Sequence, residues 1–577
     1  MNSADLRQRA ERWQREDPDA TTVAELGKLL KDGPEAELAD RFCSALEFGT
    51  AGLRGVLGAG PNRMNRAVVR RTTLGFANYL KLHVPHVAKR GVVVARDGRH
   101  LSLDFAQDAA QVLAAAGIPA LYFPGVVPTP VCSFAVKQLE AAGGVMVTAS
   151  HNPPEYNGYK VYWTNSAQII PPHDVGIAAA IAQVGPANTV PLMDWSEATR
   201  EGLIRELDAK TEEVYLESIL ALRLNPVKSS DLNVVYTAMH GVGGRWVRTA
   251  MARAGFQRFS VVVEQQEPDG AFPTVRFPNP EEPGAMDLSR ALAEKVGAEL
   301  VIANDPDADR LALLSRDAAG TLKALSGNEV GVLLGYYLLT QSKVRVTKPL
   351  VMTTIVSSVQ LKAIAEKRGV LFDETLTGFK WIANRALERL EKEEADFIFG
   401  YEEALGYTVG TVVRDKDGVG AALVAADMAA WCKRRGTTLF GYLEEIQREF
   451  GLFVSEQKSL TFPGSEGAAT IAFIMAAFRQ SPPESLGGKA VCAVRDYQDL
   501  AHSKLPPSNV LAYELEGGAR VTLRPSGTEP KIKYYFELKE TLGAGEPMAA
   551  AQARAQRSLK TLIADFSRLA QARGQPA

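Results

Sequence analysis

The sequence is short of several things, and each shortage closes off a class of function. Cysteine is scarce: Cys43, Cys132, Cys432 and Cys492 stand far apart in a chain of 577 residues. No CxxC pair or zinc-ligand spacing joins them, so inert thiols in a reducing compartment are expected, not a disulfide framework or a zinc module. A surplus of one charge is missing too. Lys and Arg total 65 against 67 Asp and Glu, a net charge of −2. That balance argues against a polyanion-binding surface and against nucleic acid as a partner, while leaving room for a local basic pocket. No apolar run is long enough to span a bilayer, and Met1-Asn2-Ser3-Ala4-Asp5-Leu6 leads into a charged helical pattern instead of an apolar signal core. A cytoplasmic protein without a membrane partner is expected. Gly241-Val242-Gly243-Gly244 lacks the third glycine of a dinucleotide loop, which rejects a Rossmann cofactor site.

What is present is too long for one core, so several domains are expected. Residues 3–46 read as amphipathic helices. From there strands and helices alternate. Gly91-Val92-Val93-Val94-Ala95 reads as a strand, Ser102 to Ala116 as a helix capped by Ser102, and Ala120 to Phe123 as a strand. A helix over Pro130 to Ala141 and the apolar strand Gly144-Val145-Met146-Val147 follow. The layout recurs from Leu232 and again from Pro349. Each repeat ends on a strand, Leu300 to Ala303 and Asp396 to Phe399, that runs into a polar cluster. The last stretch differs, with paired strands over 519–523 and 532–538 and a long Ala-rich helix from about 548. The fold class expected is α/β: three similar domains with mixed, mostly parallel sheets, and a smaller C-terminal α+β domain. The boundaries expected are 1–205, 206–320, 321–452 and 453–577.

Four polar clusters carry the chemistry. Thr148-Ala149-Ser150-His151-Asn152-Pro153 places the Ser150 hydroxyl on a loop just past a buried strand, where Asn152-Pro153-Pro154 stops the strand from continuing. Asp305, Asp307 and Asp309 stand at alternate positions, able to converge on one cation when the loop curls. All-oxygen ligation favours a hard ion, Mg²⁺ before Ca²⁺ or Mn²⁺, and the Gly and Glu of an EF-hand are missing. Arg310 beside them can pair with a carboxylate or reach a phosphate. Gly400-Tyr401-Glu402-Glu403-Ala404-Leu405-Gly406-Tyr407 puts carboxylates at a loop mouth, where Glu402 can accept hydrogen bonds from sugar hydroxyls. Arg524-Pro525-Ser526-Gly527-Thr528 combines a guanidinium, two hydroxyls and free N–H groups, a set suited to a phosphate dianion. Two smaller pieces suit the same ligand. One is the glycine-rich loop around Arg54; the other is Thr377-Gly378, whose backbone precedes a helix.

These clusters, in this order, resemble the α-D-phosphohexomutase superfamily: TASHNP as its serine loop, DPDADR as its metal loop, GYEEALGY as its sugar loop and RPSGTEP as its phosphate loop. The likeness runs from about residue 45 to 570. Phe48 to Gly55 and the tyrosines flanking the sugar loop are similar to the phosphoglucomutase and phosphopentomutase branch. One departure is Ala404, where many phosphoglucomutases carry serine.

The resemblance implies four domains around a central cleft and a Ser150 that is phosphorylated at rest. It also implies a Mg²⁺ ion held by Asp305, Asp307, Asp309 and that serine group. Lys160 matches a proposed general base and Lys416 a phosphate contact, with Arg54 and His151 as further candidates for proton transfer or phosphate contact near the serine. The implied reaction moves a phosphoryl group between the 1- and 6-positions of glucose phosphate, or the 1- and 5-positions of a pentose phosphate. It passes through a sugar 1,6-bisphosphate, which also serves as activator. The alternatives are a glucose 1,6-bisphosphate synthase or a phosphomannomutase of the same fold. A non-enzymatic sugar-phosphate sensor needs neither nucleophile nor metal. A small phosphosugar is the partner expected, for a monomer or a dimer.

Overall fold

The computed structural model describes residues 3–343, 346–462, 467–499, 505–526 and 531–573. Four sheets account for the strands among them. The first runs in the order 53–56, 156–162, 143–147, 92–96, 120–122, 204–206. Its centre is parallel, and 156–162 returns antiparallel on 143–147 to receive 53–56 on its other side. In the second sheet 234–237 lies parallel between 259–261 and 300–303, after which 312–316 and 322–325 continue antiparallel. The third sheet is 371–375, 349–354, 396–402 and 406–409, with only the last strand antiparallel. The fourth is antiparallel throughout, running 452–461, 531–540, 519–525, 511–515, 489–496, 485–486. Three α/β units with mixed sheets and one α+β unit are the architecture expected from the sequence. Among the described residues no helix is long and apolar enough to cross a membrane.

The central parallel strands are apolar because helices cover both faces, and every residue of 143–147 and 300–303 is buried. One continuous apolar core runs from Val93 to Phe450 and joins the first three units. The fourth unit has its own core, built from helices 467–480 and 548–573 on its sheet. It meets the third unit through a small cluster that includes Ile355, Leu376, Val510 and Tyr535. Arg520 reinforces the junction by donating to the Ser357 carbonyl and pairing with Glu374. The expected N-terminal helices are Ser3–Glu16, Ala20–Asp32 and Glu35–Phe42. Their apolar cluster closes over Ala59, whose N–H donates to Glu25 while Arg41 bridges Glu25 and Glu37.

Element ends moved by a few residues, and one assignment changed in kind. Ser102 does not cap its helix. It is the first helical residue, after Leu101 at φ 61°, and its hydroxyl donates to Asp97 at 2.7 Å. Asp97 is a buried carboxylate, and the Ser102 hydroxyl is turned to donate to it instead of accepting a helix N–H. The return strand 156–162 went unread because its Tyr-Asn-Gly-Tyr-Lys-Val-Tyr pattern carries two turn-forming residues.

The loops beyond the second and third sheets are joined through their backbones. Arg310 and Gly406 form an antiparallel bridge, and the Leu311 N–H donates to the Leu405 carbonyl at 3.0 Å. Glycine is required at these approaches. A Cβ on Gly418 would stand 2.4 Å from the Arg310 carbonyl oxygen, and one on Gly327 would stand 1.8 Å from that of Glu403.

Candidate active site

Ser150 lies three residues past strand 143–147, buried, with φ 54°. This left-handed conformation is uncommon for a residue with a Cβ and persists only when the surroundings impose it. Arg99 does so. Its Nη2 donates to the carbonyls of Ser150 (2.6 Å) and Asn152 (2.5 Å), and its Nη1 to those of Pro153 (2.9 Å) and Tyr156 (3.2 Å). Asp97 pairs with Arg99 at 3.4 Å, both buried, and the Thr148 hydroxyl accepts from the Ser150 N–H at 2.8 Å. The Ser150 hydroxyl then faces two groups: Asp305 Oδ2 at 3.0 Å and His151 Nδ1 at 3.2 Å.

Asp305, Asp307 and Asp309 converge, each offering an oxygen within 4.8 Å of the others. Ala308 at φ 54° curls the loop so that all three side chains point inward. Lys160, from the return strand, reaches Asp307 at 2.7 Å and Asp309 at 2.9 Å, and the Thr129 hydroxyl donates to Asp307 at 2.7 Å. Lys416 adds a 3.2 Å contact to Asp309 and holds Asp415 at 3.5 Å. Arg310 stands farther off, its buried Nε 3.9 Å from Asp305 and 4.0 Å from Asp309 and without a hydrogen bond among the described residues.

Charge in this cluster is unevenly met. Burial, with Asp307 and Asp309 close by, pushes the Asp305 carboxyl well up. Burial acts the same way on Asp309, but Lys160, Lys416 and Arg310 outweigh it and hold that carboxyl low. On Lys160 burial works against the ammonium, and Asp307 and Asp309 more than restore it. Burial, Arg310 and Arg54 depress His151 well below its ordinary range, leaving a neutral ring. Asp307 Oδ1 and Asp309 Oδ1 are buried and accept no hydrogen bond among the described residues. Buried, unsatisfied carboxylate oxygens beside an Asp305 pushed towards neutrality fit a hard divalent cation such as Mg²⁺.

The sugar-loop residues face the same space. Glu402 ends strand 396–402 and accepts the Gly378 N–H at 2.7 Å, so that amide is committed to the carboxylate. Gly378 has φ 116°, a conformation that favours glycine. The neighbouring Thr377 hydroxyl is buried and makes no hydrogen bond among the described residues. Glu403 turns away and anchors the loop, accepting from the Ser357 hydroxyl at 3.0 Å. Ala404 is half-buried in the turn between strands 396–402 and 406–409.

The fourth unit contributes two basic residues on neighbouring strands. Arg524 nears the end of strand 519–525 and pairs in register with Lys533 on 531–540. Burial pulls the Lys533 ammonium down, and Lys531, Arg524 and Arg310 add like-charge repulsion against a favourable Glu403. The Ser526 N–H donates to the Lys531 carbonyl at 2.7 Å, closing the base of the loop. Gly527 and Thr528 lie outside the described residues. Arg54 pairs in register with Gly158 on the return strand, and its guanidinium donates to the Asn152 side chain at 3.2 Å.

The structure thus brings Ser150, His151, Lys160, Arg54, the three aspartates, Arg310, Lys416 and Glu402 into one cleft, with Thr377, Gly378 and Arg524 on its walls. Sequence reasoning missed Arg99, Thr129, Lys380 and Lys533. Asp97-Gly98-Arg99 directly after strand 92–96 was a readable signal, of the same strand-then-charge form as the other clusters. Lys533 was also recoverable, as the residue facing Arg524 across a hairpin.

Comparison with known proteins agrees with this geometry. The chain matches the models for phosphoglucomutase/phosphomannomutase α/β/α domain I over residues 45–187, domain II over 213–320 and domain III over 326–450. The C-terminal domain of the same family matches 484–551. A phosphopentomutase from Homo sapiens is 36% identical over 94% of this chain and 93% of its own length. A glucose 1,6-bisphosphate synthase from Homo sapiens is 38% identical over 96% and 92%. In fold, the chain superposes with a TM-score of 0.66 on the structure of a phosphoglucomutase/phosphomannomutase family protein from Burkholderia thailandensis. That structure is 20% identical, with 92% of this chain and 98% of that one covered. With all four domains matched and the serine, carboxylate and basic loops facing one cleft, this chain is a member of the phosphoglucomutase/phosphomannomutase family, the phosphohexomutases.

Proposed function

We propose that the protein is a phosphoserine mutase that interconverts the 1- and 6-phosphates of glucose, and the 1- and 5-phosphates of pentoses, through a sugar bisphosphate. The observation that carries this reading is the Ser150 hydroxyl, 3.0 Å from Asp305 and inside a buried carboxylate cluster. A binder of sugar phosphates has no need to aim a hydroxyl at three aspartates. Asp305, Asp307 and Asp309, with the Ser150 phosphate, would hold Mg²⁺. That ion, when bound, neutralises the serine phosphate and polarises its phosphorus.

The chain's own residues do the rest. The Ser150 Oγ–P bond breaks as a bond forms from phosphorus to a hydroxyl of the bound monophosphate, and the bisphosphate then returns its other phosphoryl group to Ser150. Arg54, His151 and Lys160 surround the serine to manage the hydroxyl's proton and the phosphoryl charge. Glu402 holds sugar hydroxyls in both poses, while Arg310, Lys416, Arg524, Ser526, Gly527 and Thr528 receive phosphate oxygens. Such chemistry rests on positioning and charge stabilisation. The absent hydroxyl at Ala404 leaves one fewer contact to a hexose and favours including pentoses among the substrates. The domain limits 1–205, 206–320, 321–452 and 453–577 follow the same division of loops, save that strand 322–325 pairs with 312–316 and carries the second unit past 320.

Intact-protein mass spectrometry tests the reading, with one phosphate expected and mapping to the Ser150 peptide. Ser150→Ala should abolish turnover of glucose 1-phosphate and ribose 1-phosphate while leaving the fold intact. Substantial turnover by that variant refutes the mechanism. Supplying 1,3-bisphosphoglycerate in place of glucose 1,6-bisphosphate as donor separates a synthase from a mutase.

A further inference from the structure

The first turn of helix Phe379–Glu391 holds a cation that neither the carboxylate cluster nor the four loops explain. Lys380 is the second residue of that helix, where the backbone dipole disfavours positive charge. Its side chain crosses the cleft to domain I and donates to the Thr50 hydroxyl. Thr50 sits in a closed turn, with Gly49 and Gly52 exchanging hydrogen bonds, and Gly52 is pressed so near strand 156–162 that a Cβ would meet the Tyr159 carbonyl oxygen at 1.9 Å. The hydroxyl is therefore a fixed point. It is also neutral, and no carboxylate among the described residues pairs with Lys380. The charges that reach the ammonium are Glu402, Asp174, Arg524 and Lys416. Glu402 is committed to the Gly378 N–H and belongs to the sugar loop. Arg524, on strand 519–525 of the fourth unit, is a like charge.

A half-buried ammonium held only by a hydroxyl, at the unfavourable end of a helix and within the field of the like charges Arg524 and Lys416, costs stability. An anion beside Lys380 offsets that cost, and the anion that the proposed reaction brings to this site is a phosphate. Resting on the mutase reading above, we infer that Lys380 is a further ligand for the non-reacting phosphate of the bound phosphosugar, with Thr50 as its resting partner in the empty cleft. Burial, which pulls the ammonium down to about 8 against the help of Glu402, fits a group whose charge is completed by ligand.

Lys380→Met and Lys380→Arg, compared with the intact enzyme, test this. Lys380→Met should raise the KM for glucose 1-phosphate, and the Kd for glucose 1,6-bisphosphate by calorimetry, about 10- to 100-fold. The phosphate content of Ser150 should stay unchanged and the melting temperature should not fall. Lys380→Arg should recover most of the affinity. A merely structural lysine predicts the opposite pattern: a lowered melting temperature with KM within twofold, and that result overturns the inference. If Lys380→Met melts early, Lys380→Gln is measured by the same calorimetry, and unchanged bisphosphate affinity in a folded Lys380→Gln equally overturns it. Absence of mutase turnover in the unaltered protein would instead refute the proposed function, so the two failures are distinct.

Discussion

Arg99→Met is the sharpest test of how the nucleophile is held. The substitution keeps most of the side-chain volume but deletes a guanidinium that donates to four carbonyls of the serine loop. It also strands Asp97, which burial already pushes up and which Arg99 chiefly restrains. Removing one partner of a buried charge pair costs about 3–5 kcal/mol, against about 5–15 kcal/mol for the stability of an ordinary domain. The first unit should therefore still fold, at a lower melting temperature. The loop is expected to relax from the left-handed conformation at Ser150, itself worth about 1–3 kcal/mol of strain. A displacement of roughly 1 Å at a reacting atom lowers the rate about 10²-fold. We therefore expect kcat on glucose 1-phosphate to fall by about two orders of magnitude, with KM changed far less because the phosphate wall is untouched. The second variant, Asp97→Asn with Arg99→Met, removes the stranded charge. It should recover stability without recovering kcat. If Arg99→Met keeps kcat within twofold, or if the double variant restores it, Arg99 does not position the serine.

Asp307→Asn replaces a carboxylate that meets Lys160 and Thr129, and the Mg²⁺ concentration for half-activation should rise at least tenfold; activity indifferent to EDTA in the unaltered enzyme would refute a functional metal site. Arg524→Ala removes a charge-assisted contact of roughly 1.5–3 kcal/mol, so KM should rise for every phosphosugar with their ranking kept. Ala404→Ser should instead shift hexoses against pentoses, and the reverse pattern would show the two loops to be wrongly assigned. Lys380 binds as the ammonium, and burial lowers its pKa to about 8, with Glu402 and Asp174 supporting the charge and Arg524 and Lys416 opposing it. Its charged fraction falls as pH rises through that value, so KM should climb above about pH 8. In Lys380→Arg that rise should vanish, as guanidinium stays charged.

Where sequence reasoning worked, the physics was local. An apolar strand followed by a polar cluster describes Val147 to Ser150, Ala303 to Asp305 and Phe399 to Glu402, and each cluster needs only its own few residues to be recognised. The alternate spacing of Asp305, Asp307 and Asp309 allows them to converge on one cation, and their mutual repulsion calls for such a cation. Where it failed, the partner lay on another element. Lys160 meets Asp307 across 147 positions, and no period in either segment encodes the meeting. Arg99 looks like half of a turn until strand 156–162 returns beside it and presents a carbonyl. Ser102 satisfied the rule for a cap, yet a buried carboxylate five residues earlier claimed its hydroxyl. Lys380 meets Thr50 across 330 positions, which no local pattern around either residue encodes.

The backbone junction between Arg310–Leu311 and Leu405–Gly406 bears on anyone who wishes to redesign this enzyme. Loop exchange between relatives is the obvious route to a new substrate range, and it treats each loop as a detachable cassette. Here the cassettes are stitched. A transplanted 402–406 segment must present its carbonyl at the height that Leu311 expects, and must leave room for the unsubstituted Cα of Gly327 beneath it. A transplanted 304–311 segment must in turn clear Gly418. The exchangeable unit is therefore the pair of segments together with both supporting glycines, and chimeras that move one loop alone should express poorly before their specificity can be measured.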